Sequence, residues 1–533
     1  MEFPACGKCR LYMIESGTAG VRLLTRKPST RVVFNGRFQL YAAFLLNSKL
    51  LLKFAQLYSS SDDPLKRSLR PLHFAKKWSV AIKMLSQRAA ALRVLICGPK
   101  GSGKSTLSRY LLNHLLSPTP PEGSRQVNID GVAFLDLDPG QPEFSPMGQI
   151  YLAHLHKPFF GPPFSHPTLA GSHNGIILRA HHIGATSPKE DPDHYVLATM
   201  NLMDCYRTLL SSYPQCPLII NFPGWIFGMG LELASWFVKS LGISDVVFMS
   251  EKGHDEVIWQ LSQAAREAGV ALTTLPSQPI GFVTRSSSQL RSMQIQSYFH
   301  ISHPQEAQNP VWSQIPLYRQ KPIYVNYAGE RQGILGIMVL GNQHDPNLLF
   351  DILYGAIVGI VVVENSSAIA NQEKLESGGG VFTNRNDPED EDICEVEGED
   401  TITKEQDTRR SDSPMESFIS RTPREGLPYL FVGNGSCTPL DPRASHSLGL
   451  AWLRGIDVLA RRIELITPIP VSRIHDALQH NQGLILVRGQ LDNPDWTISE
   501  SRSYCPDGVS KSSWKHTAES RLEKKLARDV VRS

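Results

Sequence analysis

The sequence lacks several features that would assign a class at once. It carries no strong charge of either sign: Lys and Arg total 54 against 51 Asp and Glu, a formal net charge of +3 over 533 residues. No whole-chain field therefore marks a binder of polyanions, and any such site must be a local surface. Long apolar runs are missing too. The most apolar stretch, residues 41–58, is interrupted by Asn47, Lys49, Lys53 and Gln56, whereas a membrane span needs about 20 mostly apolar residues. That stretch reads as a buried amphipathic helix, and no membrane partner is expected. The first ten residues include Glu2 and no apolar run, so they do not read as a secretory signal. Cysteine is sparse: eight residues are scattered without a framework, which suits a reducing compartment. Cys6 and Cys9 form a lone CxxC, half of a zinc site without its other half, or simply a pair of terminal thiols. Neither an [NT]KxD guanine-reading motif nor an LSGGQ-type element occurs, which counts against a GTPase switch and a transporter ATPase.

What remains is ordinary globular material, 41% hydrophobic and 20% charged, close to the composition of soluble domains. The length allows about two to four domains at ~150 residues each. Residues 1–90 mix a basic segment, the apolar stretch and a Ser/Asp-rich loop. From Arg93 short apolar strands (94–97, 133–137, 175–182, 217–221) alternate with helical stretches (107–116, 192–210, 232–241, 255–268). This alternation implies βαβ units and a parallel sheet covered on both faces. Beyond Pro310 strands dominate, at 322–327, 334–340, 356–363, 430–432, 463–466 and 484–490. Residues 371–425 are Gly-rich, then acidic, then Ser/Thr-rich, too poor in apolar groups to offset chain entropy, and read as a disordered insertion. Within it Ser413-Pro414 and Thr422-Pro423 are candidate phosphorylation sites or plain linker. Residues 501–533 form a basic, polar tail.

The chemistry begins at Gly98-Pro99-Lys100-Gly101-Ser102-Gly103-Lys104-Ser105-Thr106, a full GxxxxGK[ST] loop between an expected strand and an expected helix. Its glycines let backbone N–H groups curl around phosphate oxygens at a helix N-terminus. Lys104 is placed to reach the β- and γ-phosphates of ATP, and the Ser105 hydroxyl to ligate Mg²⁺. Downstream, Asp136 and Asp138 close an apolar strand, as in a Walker B element. Two residues apart on a strand, they are expected to face the same side, one holding Mg²⁺ and the other accepting a proton from an attacking hydroxyl. Gln141 is placed to orient a nucleophile or a phosphate. From these residues alone the reading is a P-loop kinase or ATPase.

Together, GPKGSGKST, LDLDPGQPEFSPMG (135–148), HIGATSPKEDPDHY (182–195), NFPGWIFGMG (221–230), RSSSQLRSMQIQSYFH (285–300), YLFVGNGS (429–436) and GLAWLRGID (449–457) resemble the family of polynucleotide 5′-hydroxyl kinases. The last two strings are closer to the branch that acts on pre-ribosomal RNA. The resemblance implies an α/β fold: a P-loop parallel-sheet kinase domain at 91–305 and a mainly β C-terminal domain at 306–500. It also implies a large β-rich domain ahead of the P-loop, for which residues 1–90 are a reduced or misread counterpart. Lys104, Ser105 and Thr106 match the ATP and magnesium residues, Asp138 the general base, and Asp136 the metal-side acid. Residues 221–225 match a clasp for the RNA 5′ end, with Phe222, Gly224 and Trp225 as contacts. The family carries threonine where this chain has Phe222. Trp225 reads as a stacking platform for a base or as a core tryptophan. Arg285 and Arg291 match lid arginines, and Lys189 is a candidate contact to RNA phosphate.

The implied activity is ATP-dependent phosphorylation of RNA 5′-OH ends in processing of the second internal transcribed spacer. The implied setting is the nucleolus within the nucleus, with a pre-rRNA-processing endonuclease subunit as partner. Two rivals stand beside it: an ATP-binding scaffold for such a nuclease, and an ATPase that remodels RNA–protein complexes.

Overall fold

A computed structural model describes residues 75–117, 129–169, 174–250, 254–278, 286–302, 311–329, 332–341, 344–370, 419–430, 439–479 and 482–492, together with the backbone of five short strands before residue 72. Those five are β1 (Leu11–Glu15), β2 (Gly20–Leu23), β3 (Val33–Phe34), β4 (Ala43–Phe44) and β5 (Arg70–Pro71), paired in two small antiparallel sheets. Ala43–Phe44 is thus extended where a helix over 41–58 is expected. Cys6, Cys9, Ser413, residues 371–418 and the tail 501–533 lie outside the described residues. Among the described residues no helix is long and apolar enough to cross a membrane.

The first large layer is a seven-stranded sheet. Its parallel part is built from β6 (Arg93–Cys97), β7 (Val132–Asp136), β10 (Leu218–Asn221), β11 (Asp245–Phe248) and β12 (Ala271–Thr274). Two strands, β8 (Gln149–Leu155) and β9 (Gly175–His182), extend it antiparallel beyond β7. The order across the sheet is β12-β11-β6-β10-β7-β8-β9. Buried strands such as Arg93–Cys97 and Val132–Asp136 are apolar nearly throughout because helices cover both faces. One face holds α1 (Lys76–Gln87), whose Trp78, Ala81, Ile82 and Leu85 recur at helical spacing, and α2 (Lys104–Leu116). The other holds α3 (Pro192–Ser212), α4 (Met229–Ser240) and α5 (Asp255–Glu267). Asp191 caps α3 by accepting the N–H of His194, with Pro192 in the first turn where its missing donor costs nothing. A Ser286–Gln289 capping box opens α6 (Ser287–His300).

The hairpin of β13 (Ile301–Ser302) and β14 (Val311–Trp312) leads into a second sheet of eight strands. It comprises β15 (Ile323–Asn326), β16 (Gly336–Val339), β17 (Ile357–Val363), β18 (Ile419–Arg421), β19 (Pro428–Leu430), β20 (Ser445–Asp457), β21 (Arg462–Ile466) and β22 (Gly483–Arg488). The order is β15-β21-β20-β17-β22-β16-β19-β18, with β16 parallel to β22 and β19 and the other pairings antiparallel. The expected insertion 371–425 therefore ends too late. Ile419–Arg421 pairs with Pro428–Leu430, and Thr422 is 3% exposed, its hydroxyl accepting from the N–H of Leu427. A buried, bonded threonine is no surface modification site. The longest strand, β20, has no counterpart in the sequence reading because Ser, His and Gly449 break its apolar pattern.

The two sheets are joined over β9. Arg179 pairs with Glu364 at 2.9 Å and donates to the carbonyls of Pro442 and Ser445. Met147, Ile295, Tyr298 and Phe299 share a core with Ile357, Leu450, Ile466 and Leu491.

Candidate active site

The loop from Gly98 to Gly103 leaves the end of β6 and turns into α2. Gly98, Gly101 and Gly103 adopt φ of +145°, +79° and +100°, conformations that residues with a Cβ rarely reach. A methyl on Gly101 would meet nothing within 4 Å, so this side of the loop opens on free space. A methyl on Gly103 would strike Trp78 and Gln278 at 2.8 Å, so the outer side is closed. Lys104 is 6% exposed and its Nζ donates to the Pro99 carbonyl at 3.1 Å. Ser105 and Thr106 are half-buried in the first turn of α2. The Ser102 hydroxyl is buried without a partner. Lys100 lies exposed on the loop, and Gly224 packs on its backbone so closely that a Cβ there would stand 3.0 Å from Lys100 Cα.

The two acids separate in role. β7 ends at Asp136, so Asp138 sits in the turn beyond it and the alternation of a strand does not align them. Asp136 is fully buried. Its Oδ1 accepts from Asn221 Nδ2 at 2.9 Å and from the Asp138 N–H at 3.3 Å; its Oδ2 accepts from the Glu143 N–H at 2.7 Å and the Tyr151 hydroxyl at 3.0 Å. Burial raises its carboxyl to about 7 against these hydrogen bonds. With both oxygens engaged by protein donors, Asp136 anchors the turn that carries Asp138. Among the described residues Asp138 has only Oδ1 engaged, accepting from the N–H groups of Gly140 at 3.0 Å and Gln141 at 3.3 Å. Burial raises its carboxyl, while Lys104, those two N–H groups and Arg291 pull it back. Lys104 in turn is lowered by burial and raised by Asp138. The P-loop lysine, this acid and Arg291 of α6 thus share one field.

The β7 strand is not the neighbour of the P-loop strand. β10 lies between them, and Asn221 at its end ties the arrangement together through Asp136. Gln141 Nε2 is buried with no partner. Trp225 is half-buried beside the core, with the Lys189 ammonium 5.6 Å from its ring centroid. Phe222 does not face the site. It is 0% exposed, edge-on to Phe237 with ring centroids 6.0 Å apart, because its backbone N–H continues the sheet to Ile96 and the side chain turns under it. The expected contact between Phe222 and RNA is therefore withdrawn. Arg285 lies outside the described residues.

Support that no motif disclosed surrounds the acids. Glu143 binds Arg109 and His166, each at 2.8 Å; burial would raise its carboxyl, but these partners hold it below the usual range. Gln294 of α6 donates to the carbonyls of Pro142 and Ser145, which brings the helix of Arg291 to the acid turn. Asn221 opens the expected clasp at 221–225, whereas Glu143 stands out only by lying within 135–148.

A glycine cradle open on one side, two orphaned polar groups (Ser102 Oγ and Gln141 Nε2), a buried lysine and a helix N-terminus fit a nucleoside triphosphate. The Ser105 hydroxyl is the accessible oxygen that would hold Mg²⁺. Sheet order and loop together define a P-loop nucleotide-binding protein. Residues 98–301 match the family model of the mRNA cleavage and polyadenylation factor CLP1 P-loop. The chain is 62% identical over 453 residues to polynucleotide 5′-hydroxyl-kinase grc3 of Neosartorya fischeri, covering 84% of this chain and 54% of that protein. It is 58% identical over 493 residues to the Aspergillus oryzae protein of that name (91% and 59%), and 32% identical over 458 residues to that of Gibberella zeae (84% and 56%). The chain belongs to the polynucleotide 5′-hydroxyl kinase family, and spans about half the length of these curated relatives (54% in the first). A solved structure of the interface between Pcf11p and Clp1p matches with a TM-score of 0.50 at 16% identity, covering 91% of this chain and 95% of that one; it shares the fold.

Proposed function

We propose that this chain transfers the γ-phosphoryl group of ATP to the 5′-hydroxyl of RNA. The observation that carries this reading is the convergence of Lys104, Asp138 and Arg291, with Asp138 the one acid of the pair that retains an unbonded carboxylate oxygen among the described residues. The RNA 5′-oxygen attacks the γ-phosphorus in line, its proton passes to Asp138, and the bond from that phosphorus to the β–γ bridging oxygen breaks to release ADP. Mg²⁺, when bound at Ser105, supplies charge to the phosphate oxygens. Lys104 and Arg291 neutralise the charge that spreads over the transferring group, and the P-loop amides hold it in line. Asp136, bonded on both oxygens, keeps Asp138 in register. Trp225 and Lys189 form a half-buried ring with a cation over it, a pair suited to a terminal base and its phosphate.

We further propose, from the late strings 429–436 and 449–457 that resemble the branch acting on pre-ribosomal RNA, a place in pre-rRNA processing at the second internal transcribed spacer. On this reading the protein works in the nucleolus beside the endonuclease that leaves a 5′-OH product. The test is transfer of labelled γ-phosphate to 5′-OH RNA, with a 5′-phosphorylated RNA as control. Label on the first and not the second supports the reading. RNA-stimulated phosphate release without transfer refutes it.

A further inference from the structure

The last described strand, β22, runs into Gly489, Gln490 and Leu491, and these three residues reach the acid turn by an unbroken chain of close contacts. The Gln490 N–H donates to the Gly184 carbonyl at 2.7 Å. Gly489 lies so near Gly184 that a methyl on it would fall within the Gly184 carbonyl, carbonyl carbon and Cα, all of them backbone with nothing able to swing aside. Gly184, at φ +72°, is held from its other side by Gly148, whose carbonyl accepts from the N–H groups of Ile183 at 2.8 Å and Gly184 at 3.2 Å. The space where Gly148 lacks a side chain is filled by Leu491, 2.9 Å from the position a Cβ would take. The Gly148 N–H then donates to the Pro139 carbonyl at 2.7 Å, one residue from Asp138. One residue further on, Gly140, whose N–H donates to Asp138 Oδ1 at 3.0 Å, packs against the Thr186 carbonyl, 2.7 Å from where its Cβ would stand. The turn that follows the acid is therefore set by Gly148 and the segment 183–186, and the second sheet clamps Gly148 and Gly184.

We propose that Gly489, Gln490 and Leu491 are positioning residues for phosphoryl transfer, so that the C-terminal sheet fixes where Asp138 stands relative to Lys104. This rests on the kinase reading above. Misplacing a reacting group by about 1 Å costs on the order of 10²-fold in rate, and backbone contacts with no flexible atom transmit such a shift directly.

The experiment is steady-state transfer to 5′-OH RNA by the full chain, with melting followed with and without ATP. Gly489→Ala is expected to lower kcat about tenfold or more, within the penalty for misplacement, at an unchanged KM for ATP and with ATP still raising Tm. Leu491→Val loosens the same clamp without a clash and is expected to lower kcat less, again with KM for ATP unchanged. Ile463→Val, a buried trimming on β21 far along the same sheet, serves as the control for stability alone and is expected to keep kcat. Equal kcat losses in Ile463→Val and Leu491→Val, or an unchanged kcat in folded Gly489→Ala, overturn the proposal. If wild-type protein transfers nothing, the kinase reading fails and this one with it; a transferring wild type matched by Gly489→Ala refutes only the clamp.

Discussion

The side-chain amide of Asn221 donates to Oδ1 of Asp136 at 2.9 Å, binding the strand beside the P-loop strand to the strand that carries the acids. This bond anchors Asp136, and on the proposed mechanism, in which Asp138 takes the proton, the two substitutions should separate cleanly. Asp138→Asn is expected to reduce kcat by about 10²–10⁴-fold, as loss of a general base does, with Tm nearly unchanged. Asp136→Ala strands four donors, those of Asn221, Glu143, Asp138 and Tyr151. At about 1–3 kcal/mol for each unsatisfied buried group, it should cost several kcal/mol of stability. Urea unfolding alongside transfer assays checks both; a stable Asp136→Ala would reverse the assignment.

Lys104→Ala removes a buried cation whose work is to meet phosphate charge. Transfer should vanish while Tm without nucleotide stays the same or rises, since burial already disfavours the charged ammonium. The ATP-dependent rise in Tm should shrink as well. Substantial transfer by this variant would remove the P-loop from the mechanism.

Phe222→Thr exchanges a fully buried ring for a smaller side chain with a hydroxyl. A cavity of this kind costs about 3 kcal/mol or more, and burying the hydroxyl adds to it. The expected outcome is a large loss of stability with no gain in kcat/KM for 5′-OH RNA. A gain would mean that position 222 meets the RNA end through the introduced hydroxyl and that its placement in the core is wrong.

Replacing residues 373–418 with a short Gly/Ser linker should leave rate and Tm near wild type. Extending the replacement through Arg421 removes β18 and the donations from Arg421 to the carbonyls of Tyr327 and Gly426. That longer deletion should lower Tm. Equal melting of the two would show that β18 adds nothing to the second sheet.

Stability should fall on acidification. Burial lowers the imidazoles of His181, His182, His194 and His446 where β9 and α3 meet β20, His182 to about 3. A depressed histidine contributes stability that is present above 6.5, the unfolded value, and lost as pH falls toward the folded one, because the unfolded chain binds the proton first. Tm should therefore drop from pH 6.5 downward, and His182→Leu, which removes two unpartnered ring nitrogens, should flatten the slope by up to one proton. An unchanged slope would show that His182 keeps its ordinary affinity for protons.

The nucleotide site was legible in the sequence because its chemistry is local. Nine contiguous residues, 98–106, carry their own turn, donors and lysine, and a strand and helix on either side complete the context. The alternation of strands and helices likewise revealed the parallel sheet, since burial on both faces demands apolar runs. The rest depended on distance in sequence. Asp136 and Asp138 look equivalent until the strand ends between them and Asn221, 85 residues away, occupies one of them. Phe222 looks like a clasp residue until Phe237 packs against it. Gly489 carries no sign of its role, because a glycine's meaning lies in which backbone it approaches. Side-chain direction and close contact are set by what packs against a residue, and only the assembled sheets decide that.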